Sequence, residues 1–160
     1  VGDALIGHVA RPNGHWQSAQ DGAAALAVFS GPSAYVSPGF YPSKAEHGRV
    51  VPTWNYVAVH VRGRVQWLHD EADKLAIVRA LTDRFEAGEA KPWSVDDAPP
   101  DYVTAMLRGI VGVKLTIESV EAQMKLSQNR TEDDCNGVEL GLAARDNAGS
   151  REIARLMRRR

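Results

Sequence analysis

The sequence predicts a mainly β protein, an antiparallel barrel with helices attached to it. Two patterns point there. Apolar residues alternate with a period of two in about six segments bounded by Gly, Pro, Asn and Asp clusters. The helical patterns sit together in the middle and at the end of the chain, whereas a parallel sheet would need one helix after each strand. Composition agrees: 160 residues, 44% hydrophobic and 24% charged, suffice for one core, and a single domain over 1–160 is expected.

Taken in order, Leu5, Gly7 and Val9 alternate with Ile6 and His8 in a first strand. Arg11-Pro12-Asn13-Gly14-His15-Trp16 follows as a polar turn. After the Asp21-Gly22 turn signal, Leu26 to Phe29 reads as a short strand that Gly31-Pro32 interrupts, with a brief extended piece at Ala34 to Ser37. A Pro-rich loop then runs to Pro52. From Trp54 the alternation is strong, with Tyr56, Ala58 and His60 facing one way and Val57, Val59 and Val61 the other. Arg62-Gly63-Arg64 reads as a hairpin turn or bulge that returns the chain through Val65 and Trp67. Asp70 is placed to cap a helix over 70–87, with Leu75, Val78, Leu81 and Phe85 as its apolar stripe and Gly88 ending it. A shorter helix over 101–109 follows Pro99-Pro100, with Val103, Met106, Leu107 and Ile110 inward. Val113, Leu115 and Ile117 mark one strand, and Val120 to Leu126 another. Thr131-Glu132-Asp133-Asp134 has the form of a capping box opening a helix through Val138 and Leu142. Ser150 is placed to cap a basic C-terminal helix over 147–160, with Ile153, Leu156 and Met157 inward.

A formal net charge of −1 excludes a wholly basic surface of the kind that grips nucleic acid by counterion release. Any DNA contact must be local, and the concentrated positive charge is Arg151, Arg155, Arg158, Arg159 and Arg160. No apolar run approaches the roughly 20 residues that span a bilayer. One cysteine, Cys135, excludes an internal disulfide framework and suits a reducing compartment, so a cytoplasmic protein with no membrane partner is expected. Cys135 itself reads as a small, half-buried helix residue. The chain opens at Val1 directly in a strand pattern, which suggests that barrel strands upstream are missing.

The 14 glycines include no Gly-x-Gly, so neither a dinucleotide fingerprint nor a phosphate loop of the Walker type is present. The five histidines are scattered without metal-ligand spacing, and no metal site is expected. Three polar clusters remain. His8 to Trp16 ends a strand with Arg11 and Asn13 around an open turn, whose fork donor and free backbone N–H groups suit a phosphate; a solvated hairpin tip has the same composition. Residues 41–55 bring Lys44, His47 and Arg49 as cations, beside Glu46 and Asn55, with Tyr41 and Trp54 as flat surfaces. Lys125-Leu126-Ser127-Gln128-Asn129-Arg130 follows a strand and precedes a helix. Together they describe one ligand, anionic at one end and planar at the other; flavin mononucleotide, another nucleotide and pyridoxal phosphate all fit.

The blocks "GHVARPNGHW", "FSGPSAYVSPGFYPSKAEHGRVVPTWNYVAVHVRG", "LTDRFEAG", "PWSVDDAPPDYVTAMLRGIVGVKLTIE" and "KLSQNR" resemble, in order, the signature of the PaiB family of FMN-binding negative transcriptional regulators, over roughly residues 4 to 142. The resemblance implies a split β-barrel like those of flavin reductases and pyridoxamine phosphate oxidases, a homodimer, and FMN bound where the two subunits meet. It carries the flavin phosphate to the turn of His8, Ala10, Arg11, Asn13 and Trp16. It makes Tyr41, Lys44, Trp54, Asn55, Lys125, Ser127, Gln128, Asn129 and Arg130 further pocket or interface residues. Gly39-Phe40 departs from the family, which has a polar residue and Trp there. The implied role is gene repression, although no helix-turn-helix with a basic recognition helix is visible; the alternative on the same fold is a flavin-dependent oxidoreductase.

Overall fold

A computed structural model of the chain describes residues 2–159; Arg160, the last of the tail arginines, lies outside the described residues. Four strands and six helices follow one another as β1 (Ala4–Ala10), α1 (His15–Ser18), β2 (Ala24–Val36), α2 (Ser43–His47), β3 (Thr53–Leu68), α3 (Glu71–Glu86), α4 (Pro100–Leu107), β4 (Ile110–Lys125), α5 (Glu132–Ala143) and α6 (Ala148–Arg158), with 3-10 turns at Pro38–Phe40 and Val95–Asp97. The strand order is β1-β4-β3-β2. The chain gathers into two compact units, one made of the segment up to Leu26 with Val61–Ser119, the other of Ala27–His60 with the segment from Val120 onward.

The strands are fewer and longer than the sequence pattern suggests. Gly31 and Pro32 lie inside β2, which does not break. As the last strand in the order, β2 can leave one side unpaired, and that is where a residue without an N–H is tolerated. Arg62-Gly63-Arg64 is neither turn nor bulge but the interior of β3. Gly63 is there because a Cβ would stand 1.9 Å from the Thr116 carbonyl oxygen on β4. Residues 110–125 likewise form one strand and not two.

In the first unit β1 runs antiparallel to β4, Ala4 opposite Thr116 and Ala10 opposite Ile110. Val61, Val65, Ile77, Val95, Leu107, Val111 and Leu115 are buried. Asp70 takes the N-cap position of α3, as expected, yet its side chain makes no cap hydrogen bond. Phe85 is 74% exposed and so is not part of the core stripe expected for it; Lys74 and Ile77 occupy the buried face instead. Lys74 Nζ donates to the Leu107 carbonyl at the end of α4 (3.0 Å), where the helix presents its unpaired carbonyls and negative dipole end.

In the second unit α5 and α6 pack over Ala34, Val36, Tyr41 and Leu126, burying Val138, Leu142, Ile153, Ala154 and Met157. Thr131 Oγ1 caps α5 by accepting the Asp134 N–H (3.3 Å). The reciprocal half of the expected capping box is absent: the Asp134 carboxylate turns to α2 and accepts the Ser43 N–H (3.1 Å) and O–H (2.8 Å). Asn147, not Ser150, caps α6 through its Oδ1 and the Ser150 N–H (2.8 Å). On α5, Gly141 leaves room for the Phe40 ring, which a Cβ would meet at 2.4 Å.

Candidate functional site

Of the expected site residues, His8, Ala10, Arg11, Asn13 and Trp16 fall in the first unit; Tyr41, Lys44, Trp54, Asn55 and Lys125 to Arg130 fall in the second. The turn after β1 is tightly tied. Arg11 Nε donates to the Arg108 carbonyl (2.8 Å) and Nη2 to that of Ile110 (3.3 Å), while its guanidinium carbon stands 5.5 Å from the Trp16 ring centre. Trp16 Nε1 donates back to the Arg11 carbonyl (2.8 Å), and its ring meets His69 edge-on. The expected set of free backbone N–H groups is mostly not there. Those of Arg11 and Asn13 go to the Gly109 and Ala10 carbonyls, and that of His15 to Asn13 Oδ1. What the turn keeps, among the described residues, includes Arg11 Nη1, the Asn13 side-chain amide and the Gly14 backbone N–H.

Beside this turn lies a groove of about 250 Å³. Its floor is Val78, Val95, Leu107 and Ile110, its rim Trp93, Tyr102 and Met106, and His8 its single imidazole. Trp93, Tyr102 and Met106 are exposed, so three large adaptable surfaces face water around an apolar cleft. Ile110 joins groove and turn: it lines the one, and its carbonyl binds Arg11 of the other. The sequence signal for this groove was Trp93 between Pro92 and a 3-10 cap, together with Tyr102 and Met106 on α4 beyond Pro99-Pro100. Reading α4 only as barrel packing hid it.

In the second unit, Asn55 is core. It is wholly buried, with Nδ2 donating to Ser127 Oγ (3.0 Å) and approaching Met157 Sδ (3.6 Å), and Oδ1 accepting from Ser127 Oγ (3.3 Å). Ser127 holds φ at 62°, a left-handed conformation that costs a non-glycine residue energy and persists where its surroundings enforce it. Lys125 Nζ donates to Thr53 Oγ1 (2.7 Å). Gln128 Oε1 accepts the Leu126 N–H (2.7 Å) and its amide reaches the Met124 carbonyl. This block is therefore largely occupied in shaping its own loop, with Asn129 exposed. Tyr41 is buried, its hydroxyl without a protein partner, and the Arg130 guanidinium lies 4.8 Å above its ring. Lys44 and Trp54 are exposed, Trp54 meeting Tyr35 edge-on. A second cavity, of about 470 Å³, opens between α2 and the start of α5; it is lined by Glu46, His47, Arg49, Arg130, Asp133 and Asp134. The sequence singled out Glu46, His47 and Arg49 but treated the Asp pair only as helix-start residues.

Cys135 is half-buried, its Sγ 3.2 Å from the Ser127 carbonyl oxygen. On α6, Arg151, Arg155 and Arg158 each meet a carboxylate, of Asp146, Glu152 and Glu139 respectively. The Arg155 hydrogen bond holds the Glu152 carboxyl below its ordinary range. No helix among the described residues is long and apolar enough to cross a membrane.

Comparison with known proteins adds a family. A profile described as "Putative FMN-binding domain" matches residues 1–119. The "Protease synthase and sporulation protein PAI 2" of Bacillus subtilis is 35% identical over 96% of this chain and 71% of its own length. An uncharacterized Emericella nidulans protein is 32% identical over 84% of this chain and 58% of its own. Among solved structures, the FAD and heme binding protein from Mycobacterium smegmatis superposes with a TM-score of 0.50 at 17% identity, over 85% of this chain and 60% of that one. That likeness is one of fold, the split barrel with attached helices expected from the sequence.

Proposed function

Because the chain belongs to the PaiB family of FMN-binding proteins, we propose that it holds the flavin at the groove of the first unit and works as a homodimeric regulatory protein. The observation that carries the placement is the groove itself, apolar and rimmed by Trp93, Tyr102 and Met106, with Arg11 bonded to the carbonyl of Ile110, one of its lining residues. The residues there fit a flavin. Flat side chains and an apolar floor suit a fused ring system, His8 offers one hydrogen bond, and Arg11 Nη1 with the Asn13 amide offers donors to a phosphate. The polar cavity of the second unit fits less well, because Glu46 and Asp133 would repel a phosphate. Bound FMN supplies a redox-active ring that exchanges one or two electrons; the chain's own groups seat it, orient its ring and shield one face.

Dimerisation is supported by apolar side chains left open on the strands: Ile6, Leu26, Val28, Val120 and Met124 are all exposed. A second copy of the chain is the partner that the family resemblance implies, and it would cover such open apolar side chains. Light scattering of the purified chain should give twice the monomer mass. Replacing Leu26 and Val28 by Asp should release monomer; a wild-type monomer would overturn the dimer.

The test of the cofactor is a visible spectrum of the purified protein, followed by identification of what heat releases. Colourless protein that leaves the fluorescence of added FMN unquenched would overturn the proposal. One observation favours the second reading, a flavin-dependent oxidoreductase. Of the tail arginines, Arg151, Arg155 and Arg158 on α6 already meet carboxylates, which leaves less unpaired charge on that helix for direct DNA contact. Nicotinamide-driven bleaching of the bound flavin, with turnover of an acceptor, would favour the enzyme; salt-sensitive retention of a specific DNA fragment would favour the regulator.

A further inference from the structure

We propose that the cavity between α2 and the start of α5 binds a small zwitterion, a molecule carrying an ammonium group and an oxyanion together. It shares no residue with the groove assigned above to the flavin, and Arg130, which the family resemblance implies as a further pocket or interface residue, lines this cavity instead. Its walls set Arg49, Arg130 and His47 against Glu46, Asp133 and Asp134. Of the carboxylates, only Asp134 is committed, buried and bonded to Ser43. Among the described residues, the guanidinium groups of Arg49 and Arg130 and the carboxylates of Glu46 and Asp133 make no hydrogen bond or ion pair, with one another or with anything else.

Opposite charges that share a small space normally close on each other, as Arg64 and Glu118 do at 2.8 Å in the first unit. Here their supports are braced. The Ser43 bonds fix α2 to Asp134, the Phe40 ring sits against Gly141 of α5, and Arg130 is laid over the Tyr41 ring. His47 Nδ1 accepts the Arg49 backbone N–H (3.0 Å), so the neutral imidazole carries its proton on Nε2 and is a donor there. The cavity thus offers donors to an oxyanion from Arg49, Arg130 and His47, and acceptors to an ammonium from Glu46 and Asp133. A plain anion meets the unpaired carboxylates and a plain cation meets the guanidinium groups. Only a ligand bearing both charges satisfies both sets. A volume of about 470 Å³ falls in the range of small-molecule sites.

Calorimetry on the full chain, with and without saturating FMN, tests this using β-alanine, γ-aminobutyrate and δ-aminovalerate as zwitterions and butyrate and butylamine as their halves. At least one amino acid should bind about tenfold or more tighter than both halves, because each end then makes charge-assisted hydrogen bonds. Arg130→Gln and Glu46→Gln should each weaken that binding about tenfold. Glu46 is exposed, so Glu46→Gln should leave the melting temperature unchanged and keeps the test valid if Arg130→Gln disturbs folding. A half-ligand that binds as tightly as every amino acid, no binding by any of them, or indifference to Glu46→Gln would overturn the proposal. Binding is expected with or without FMN, so failure of the flavin reading does not touch this result.

Discussion

Replacing Asn55 by alanine separates a core role from a ligand-binding role at the position where the sequence places the edge of a pocket. Asn55 is 0% exposed and Ser127 3%, and the two side chains are bonded to each other. Asn55→Ala removes both partners of the buried Ser127 hydroxyl and leaves a void beside Met157. An unsatisfied buried hydroxyl costs about 1–3 kcal/mol, and the lost packing adds roughly 1 kcal/mol. A chain of this size loses about 2–4 °C of melting temperature per kcal/mol, so a fall on the order of 10 °C is expected. FMN affinity, measured by fluorescence well below the transition, should stay within about twofold of wild type. Trp54→Ala, next door but 55% exposed, should shift the melt by less than about 3 °C. Thermal denaturation with flavin titration on both variants decides the matter. An Asn55→Ala protein that melts like wild type but no longer binds FMN would refute the argument and return Asn55 to the site.

Gly63→Ala should destabilise by about 3 kcal/mol or more, read as a shifted urea midpoint, because the new Cβ would stand 1.9 Å from a backbone oxygen that cannot swing away. Trp93→Ala and Tyr102→Ala should each weaken FMN binding by about 1 kcal/mol, roughly fivefold, in a fluorescence titration; unchanged affinity in both would move the flavin out of the groove. The Glu152–Arg155 pair gives α6 a pH dependence of known sign. The folded carboxyl is held below its usual 4.5, so the pair's contribution is intact above that value and is lost as the pH falls through the lower folded one. Glu152→Gln should flatten that part of the stability profile, measured as melting temperature against pH.

The fold class was legible because strand alternation survives in single residues: Val111, Leu115 and Ile117 share one parity of β4 just as Val61 and Val65 share one of β3. Helix starts were legible where the capping chemistry is local, as at Thr131, whose hydroxyl does accept from Asp134. They were less so at α6, where Asn147 and Ser150 are both good caps by composition and the backbone alone decides between them. Strand lengths were misread at Gly31-Pro32 and Gly63 because a glycine or proline in a sequence carries two meanings. It ends a strand, or it tolerates an edge or a close neighbour, and the neighbour is named only by tertiary structure.

The same ambiguity governs the site. Arg11, Asn55 and Ser127 are the residue types that hold ligands, and they are also the types that hold a protein to itself. Arg11 spends Nε and Nη2 on carbonyls of the α4–β4 junction, and Asn55 spends its amide on Ser127. Polar residue type therefore locates where hydrogen bonds are needed without saying by whom. The residues that discriminate are those whose groups stay uncommitted once the chain has satisfied itself. By that criterion Trp93, Tyr102 and His8 around the apolar groove, and Arg49, Arg130, Glu46 and Asp133 around the charged cavity, are left with surfaces and charges to offer. The two places call for different molecules, one flat and apolar, the other small and doubly charged.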